Sequence, residues 1–358
     1  MNCSAFNLNL LSKYRTPLMG VAAMMIIVCH ASGNGVLMPA CIKKVLTYGN
    51  LGVDIFLFLS GIGCYYSLSK GINASAWYKK RFVRIFIPYA LMQIPFWAYR
   101  MSVGQFNLVE ELWVFSTVDF WIRHVGAWYV ALLVPLYILT PYIYIYVSKN
   151  GKYSLYKAFS IIILLLVACN LDIDGTSGNL HNVLHNLQWA FSRVPSFIMG
   201  MYLAPFVKRG ISVNIVWVFL VVAGLLGLYW GVHQFISKEI KMPWCLIPLL
   251  LIAFTWILDN LSKDGRFFKF FSWIGVVSLE SYLANIYLGG AGTVQDAIGR
   301  LPFNNKILYG HYFEYVCVIL IGLLLSYIIY EVTKKLQHKR LITRNGRSMI
   351  KDMFYENQ

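Results

Sequence analysis

The chain has 358 residues, of which 58% are hydrophobic and only 13% are charged, and its formal net charge is +16. An ordinary soluble domain carries about 25% charged residues, so this composition excludes a soluble globular protein. The positive charge does not indicate nucleic-acid binding, because the cations lie between apolar runs, as in the loops of membrane proteins.

Apolar runs recur along the whole chain. A spanning helix needs about 20 mostly apolar residues, and ten such segments are predicted, centred near residues 24, 59, 91, 136, 164, 198, 222, 250, 281 and 322. A loop is expected at residues 33–39, and the sixth segment either includes Arg193 or begins after it. The expected fold is an all-α, polytopic transmembrane helical bundle at residues 1–335 with a basic cytoplasmic tail at residues 336–358. A count of nine or eleven spans stays open.

The distribution of lysine and arginine predicts the topology. With a cytoplasmic N-terminus and ten spans, the cytoplasmic segments contain 22 of the 31 Lys and Arg residues, as the positive-inside rule requires. We therefore expect both termini in the cytoplasm, a multi-pass protein of the inner (cytoplasmic) membrane, and contacts of the basic tail with anionic membrane lipids.

Common catalytic and metal-binding motifs are missing from the sequence. The seven cysteines form no CxxC pair and mostly lie in apolar runs, so they are interpreted as small buried hydrophobes, and no metal is expected. The sequence also contains no P-loop, GxSxG or HExxH motif. It therefore provides no basis for phosphoryl transfer or zinc hydrolysis.

Three ionisable residues fall inside predicted spans: His30, Asp54 and Glu280. Such residues are costly in a bilayer and are functional candidates by default. His30, near the outer end of the first span, suits a general base because histidine changes protonation near neutral pH. The alternative is a histidine that is hydrogen-bonded within the bundle or at the interface.

Asp54 begins the second span, which is antiparallel to the first, so it lies at a depth similar to that of His30. A carboxylate that accepts the imidazole N–H would orient the base. We therefore predict His30 and Asp54 as a catalytic pair. The alternative is that Asp54 caps its own helix.

The sequence WYKKRFVRIFIPY places cations at the cytoplasmic end of the third span. Arg81 and Arg84 share one helix face, and guanidinium groups bind phosphate oxygens in bidentate fashion. With Lys80, and with Arg15 at the cytoplasmic end of the first span, they are predicted to bind an anionic cytosolic cofactor. The alternative is ordinary membrane anchoring.

Four residues are predicted to bind the acceptor substrate: Trp128, Tyr129, Glu280 and Asn285. The two aromatic residues, in HVGAWYVALLVPLYILTP, either stack on a sugar ring or belong to an interfacial aromatic belt. Glu280 and Asn285 lie in WIGVVSLESYLANIYL, and Glu280 should be protonated or paired within the membrane.

Several segments resemble, in the same order, those of the acyltransferase-3 family of integral membrane proteins that O-acetylate bacterial surface polysaccharides. They are LMGVAAMMIIVCH, LGVDIFLFLSG, KKRFVRIFIPY, AWYVALLVPLYILTP, RVPSFIMGMYL and WIGVVSLESYLANIYL. The resemblance implies a ten-span bundle, acetyl-CoA as the cytoplasmic donor, and an acceptor hydroxyl at or beyond the outer leaflet.

By the same resemblance, the family histidine falls on His30 and the family RxxR pair on Arg81 and Arg84. The usual arginine eleven residues before the histidine falls on Met19, and Arg15 lies one helical turn earlier. The frequent late histidine falls on Asn285, which can hydrogen-bond but cannot act as a base.

The sequence therefore leads to the hypothesis of a membrane O-acetyltransferase that moves acetyl from acetyl-CoA to a hydroxyl of a cell-surface or lipid-linked glycan. The leading alternative is a polytopic transporter or flippase in which His30, Asp54 and Glu280 form a proton relay. A second is a degenerate family member that binds without turnover.

Overall fold

The computed structural model describes residues 5–71, 73–149, 153–233, 243–261, 265–289, 293–300 and 311–355. This described part is almost entirely helical, which confirms the predicted all-α fold, and its two strands, β1 (Ala5–Asn7) and β2 (Ser212–Asn214), are three residues each. The α-helices are, in chain order, α1 (Asn9–Lys13), α2 (Arg15–Gly33), α3 (Ala40–Thr47), α4 (Leu51–Leu68), α5 (Ala74–Ser102), α6 (Leu108–Phe115), α7 (Val118–Arg123), α8 (Trp128–Tyr144), α9 (Ser154–Cys169), α10 (Gly178–Phe191), α11 (Val194–Arg209), α12 (Ile215–His233), α13 (Pro243–Leu261), α14 (Arg266–Val276), α15 (Ser278–Leu288), α16 (Val294–Gly299) and α17 (Tyr312–Tyr355).

A helix lies at the centre of each of the ten predicted spanning segments. Among the described residues, four helical stretches are long and apolar enough to cross a membrane: Arg15–Gly33, Ala40–Leu68, Trp128–Val147 and Tyr312–Gln337. The stretches Ser154–Cys169, Ile215–Gly227 and Leu246–Asn260 are apolar but shorter. The number of crossings therefore stays a prediction.

Three boundaries refine the sequence prediction. The sixth predicted segment begins after Arg193, because α11 starts at Val194. The ninth is divided at Val277 into α14 and α15, where Gly275 and the β-branched valines that follow it are weak helix formers. The last helix, α17, continues to Tyr355, so the predicted boundary between bundle and tail falls inside one helix.

Glycines bring the helices at the centre of the bundle into backbone contact. A Cβ on Gly61 of α4 would lie 2.3 Å from the carbonyl oxygen of Phe197 in α11, and one on Gly200 would lie 2.0 Å from that of Phe58. Gly275 of α14 makes an equally close approach to α2. Small residues at helix interfaces in membranes permit this close packing.

The first half of α17, residues 312–330, has an apolar outer surface. Val316, Leu320, Leu324 and Ile328, spaced by four residues, form an exposed stripe, whereas Ser326 and other residues of the opposite face are buried. An exposed apolar stripe of this kind suits contact with lipid tails.

The two strands connect the beginning of the chain to the segment after α11. They pair antiparallel, with Phe6 opposite Val213, and the Phe6 side chain is fully buried. Gly210 ends α11 with a positive φ of 66°, a conformation that glycine adopts without steric cost. This ribbon places α1, and therefore the start of α2, against the end of α11.

Candidate active site

Three adjoining clefts, which we call lobes, open around Arg15 and Arg84. The cationic lobe holds about 690 Å³ of empty space and is lined by Arg15, Gly63, Tyr66, Ser67, Lys70, Lys80, Arg81 and Arg84. The central lobe, about 600 Å³, extends between α2, α4, α5, α8 and α15 past Ser60, Tyr129 and Tyr282. The mixed-charge lobe, about 980 Å³, lies between α2, α15 and α17 and includes Glu280, Thr333 and Lys334.

The four predicted cofactor-binding residues therefore lie around one cleft. Arg15 comes from the first turn of α2, and Lys80, Arg81 and Arg84 come from the early turns of α5. Met19, the position of the usual family arginine, lies one turn after Arg15 and lines the adjoining central lobe.

Backbone carbonyls of α4 position two of the guanidinium groups. Arg15 Nε donates to the Leu59 carbonyl at 3.1 Å, and Arg81 Nη2 donates to the Gly63 carbonyl at 3.3 Å. Arg81 also lies over the Trp77 and Tyr137 rings, 5.4 and 5.7 Å from their centroids.

Gly63 is required for this arrangement, because a Cβ there would lie 2.5 Å from Arg15 Nη2. In the described part of the chain, no carboxylate lies within ion-pair distance of Arg15, Arg81 or Arg84. The three cations are therefore available to bind an anion.

His30 lies near the C-terminal end of α2, and its partner is Asn285. Its Nδ1 lies 2.7 Å from Asn285 Oδ1, and Asn285 Nδ2 donates to the Tyr315 hydroxyl at 3.1 Å. The Tyr315 hydroxyl in turn donates to the Ile27 carbonyl. Asn285 and Tyr315 are buried, and His30 is half-buried.

This chain of hydrogen bonds defines the histidine tautomer. Since Tyr315 donates to a carbonyl, its oxygen accepts from the Asn285 amide nitrogen, and the amide oxygen faces His30. The oxygen can only accept, so Nδ1 carries the proton in the neutral imidazole and the lone pair lies on Nε2. His30 is thereby prepared to take a proton at Nε2.

The predicted contact between His30 and Asp54 is not formed, and this expectation was wrong. Asp54 is fully buried and makes an ion pair with Arg193, while Ser196 Oγ donates to its other oxygen at 3.0 Å. A similar depth in the membrane does not determine the direction of a side chain, and the Asp54 side chain points to α11 and not to α2. A buried carboxylate needs a counter-charge. Arg193, the cation beside the sixth predicted segment, is the sequence signal that could have identified the partner of Asp54.

The predicted acceptor residues are not gathered in one place. Tyr129 lines the central lobe, and its backbone N–H donates to the Tyr282 hydroxyl at 3.2 Å. Glu280 lines the mixed-charge lobe, and Asn285 holds His30. Trp128 lines none of the three lobes and packs edge-on against Trp189, with ring centroids 4.4 Å apart.

Sequence reasoning missed Tyr315 and Lys70 as site residues. Tyr315 approaches Asn285 only because α15 packs against α17, and no motif marks it. Lys70 was counted only as one of the cytoplasmic cations. Its position just after the second span is the sequence signal that could have identified it as a site residue.

The two ends of the membrane bundle lie on one side. Arg15 and Thr16, at the start of α2, line the same lobe as Thr333 and Lys334, late in α17. The two segments are therefore neighbours, and an even number of membrane crossings stays a prediction.

Comparison with known proteins identifies the family of this chain. A family model described as an acyltransferase domain, that of the acyltransferase-3 family, matches residues 18–338. The chain therefore belongs to the acyltransferase-3 family and is a membrane acyltransferase. No curated protein and no solved structure matches it.

The proton-relay alternative is not favoured. It requires His30, Asp54 and Glu280 to act in sequence, but His30 bonds Asn285 and Asp54 is neutralised by Arg193. Glu280 lines the lobe that opens between the beginning of α2 and the late part of α17, and His30 does not line that lobe.

Proposed function

We propose that this chain transfers an acetyl group from cytoplasmic acetyl-CoA to a hydroxyl group of a cell-surface or lipid-linked glycan, in the inner membrane and with both termini in the cytoplasm. The observation that carries the proposal is the position of Arg15 and His30 at opposite ends of α2, with Arg81 and Arg84 beside Arg15 and the central lobe leading inward from these arginines.

The dimensions suit coenzyme A. Arg15 and His30 are fifteen residues apart in α2, or about 22 Å along the axis. An extended pantetheine arm covers about 15 Å, at roughly 3.4 Å per three-bond repeat of an extended chain. Side chains on a helix lean back toward its N-terminus, so the imidazole of His30 leans toward the arginines. Phosphates bound at the arginines would therefore direct the thioester toward His30.

The chemistry follows from the tautomer. His30 Nε2 accepts the proton of the acceptor hydroxyl as its oxygen attacks the thioester carbonyl, and the C–S bond breaks. The imidazolium then returns the proton to the sulfur of coenzyme A, leaving the acetyl ester and the free thiol. In the second route His30 Nε2 attacks the thioester and expels the coenzyme A thiolate. The acceptor oxygen then takes the acetyl group from Nε2, and the hydroxyl proton passes to the thiolate.

A glycan acceptor is supported by the family resemblance and by the aromatic residues at the start of α8. Trp128 and Trp189 lie beside each other there, and Trp128 is half-buried. Flat aromatic surfaces of this kind are suited to stacking against sugar rings.

The test is transfer of radiolabelled acetyl from acetyl-CoA to extracted cell-surface glycan by membranes that contain the native chain. His30→Ala should abolish transfer, since general-base catalysis contributes about 10²- to 10⁴-fold. His185→Ala, at an exposed histidine of α10 outside the three lobes, is the matched control and should retain transfer. Each variant is compared at equal abundance, beside membranes without the enzyme.

Equal transfer by the native chain and His30→Ala would contradict the role of His30. Acetyl-CoA binding without any transfer to glycan of the native host would support the degenerate, non-catalytic alternative. Label that is trapped on the protein by rapid quenching, is released by hydroxylamine and is absent in His30→Ala would favour the acetyl-histidine route over direct transfer.

A further inference from the structure

The cationic lobe contains more positive charge than a pyrophosphate needs. Five cations line it, namely Arg15, Lys70, Lys80, Arg81 and Arg84, and no carboxylate is among its lining residues. Lys70 lies in the turn after α4, where Gly71 has a positive φ of 72°. The loop between α4 and α5 thereby brings a lysine opposite the early turns of α5.

The cations divide into two groups by the lobes that they line. Arg15, Arg81 and Arg84 line both the cationic and the central lobe, so they lie at the junction of the two. Lys70 and Lys80 line the cationic lobe and neither of the other two. A ligand whose arm enters the central lobe would thus meet the arginines first and the two lysines beyond them.

Coenzyme A has two separate anionic parts, a pyrophosphate that carries the pantetheine arm and a phosphate monoester on the 3′ position of the ribose. The monoester carries a charge of about −1.5 to −2 at neutral pH. The cationic lobe suits it better than the mixed-charge lobe, because five cations and no carboxyl group line the former, whereas three cations and the carboxyl group of Glu280 line the latter.

We infer that the cationic lobe binds the ribose 3′-phosphate of coenzyme A, with Lys70 and Lys80 as its contacts, and that these lysines make the enzyme select coenzyme A over dephospho-coenzyme A. This inference rests on the proposed function. It assigns Lys70 a role that no motif of the chain indicates, and it separates the role of Lys80 from that of the arginines, which hold the pyrophosphate.

Binding measurements on the full-length protein in detergent or nanodiscs test the inference. Calorimetric titrations compare coenzyme A with dephospho-coenzyme A, which lacks only the 3′-phosphate. The native chain should bind coenzyme A at least about tenfold more tightly, since charge-assisted hydrogen bonds are the strong class. Lys70→Gln combined with Lys80→Gln should reduce that ratio to within about twofold while the affinity for dephospho-coenzyme A stays unchanged.

The neighbouring lysine provides the matched control. Lys79 is exposed and lines none of the three lobes, so Lys79→Gln removes the same charge from the same helix end. This variant should keep the native ratio of the affinities for coenzyme A and dephospho-coenzyme A. The comparison separates an effect of direct contact with the 3′-phosphate from a general loss of positive potential.

The outcomes distinguish this inference from the proposed function. If the native chain binds both ligands equally, or if the double variant weakens both to the same extent, the 3′-phosphate assignment is overturned while acetyl-CoA remains the donor. If the native chain binds neither ligand, the donor itself is wrong and the inference falls with it. If Lys79→Gln loses the preference for coenzyme A as completely as the double variant does, the 3′-phosphate assignment is also overturned.

Discussion

The Nδ1 atom of His30 lies 2.7 Å from the amide oxygen of Asn285, a residue 255 positions later in the chain. The amide is itself oriented by Tyr315. Asn285 therefore occupies the place where sequence reasoning expected Asp54, and it acts as a positioning residue: it keeps the imidazole proton on Nδ1 and leaves Nε2 free.

Replacing Asn285 should lower turnover. Asn285→Leu keeps the size of the side chain but removes the acceptor, and we expect kcat to fall on the order of tenfold, since a hydrogen bond contributes about 1 kcal/mol or more. Asn285→Asp restores an acceptor and should recover most of the activity. Kinetics of acetyl transfer measure both, with KM for acetyl-CoA unchanged. Native kcat in Asn285→Leu would contradict the positioning role.

Gly63→Ala should affect donor binding specifically. The added Cβ would displace the end of the Arg15 side chain, which is flexible, so the fold should be preserved. We expect KM for acetyl-CoA to rise about five- to tenfold with kcat nearly unchanged, as for loss of uniform binding. Gly224→Ala in α12, where a Cβ meets nothing within 4 Å, is the control. An unchanged KM in Gly63→Ala would show that Arg15 does not bind the donor.

Asp54 and Arg193 should act mainly on stability. Removing one partner of a buried ion pair costs about 3–5 kcal/mol, whereas replacing both with apolar residues is often tolerated. Asp54→Ala should therefore lower the unfolding temperature sharply, and Asp54→Leu combined with Arg193→Leu should recover part of the loss. Thermal unfolding of the purified protein measures this. A stable but inactive Asp54→Ala would instead point to a catalytic role.

Gly200 should be intolerant of any side chain. Because a Cβ at this position would lie 2.0 Å from the Phe58 carbonyl oxygen, the backbones of α4 and α11 would have to separate. Gly200→Ala should lower the yield of folded protein and its unfolding temperature, and by much more than Gly224→Ala does. Similar unfolding temperatures for the two variants would mean that α4 and α11 do not pack this closely.

The two termini should be accessible from the same side of the membrane. The start of α2 and the late part of α17 line one lobe, which favours an even number of crossings, and the distribution of Lys and Arg predicts the cytoplasmic side. Reporter domains that are active only in the cytoplasm, fused separately to each end, should both be active. Activity of only one fusion would require an odd number of crossings.

Hydropathy and charge were enough to predict the helical bundle, the helix at the centre of every predicted segment, and the cationic end where Arg15, Lys80, Arg81 and Arg84 meet. These features depend on local sequence. The apolar character of a segment is set by its own residues, and four cations near helix ends at one membrane face lie close to one another. The partners of His30 and Asp54 depended instead on how the helices are rotated and which of them pack together. That rotation results from contacts such as Gly61 with Phe197 and Gly200 with Phe58, which join residues far apart in sequence, so no local pattern could pair His30 with Asn285 or Asp54 with Arg193.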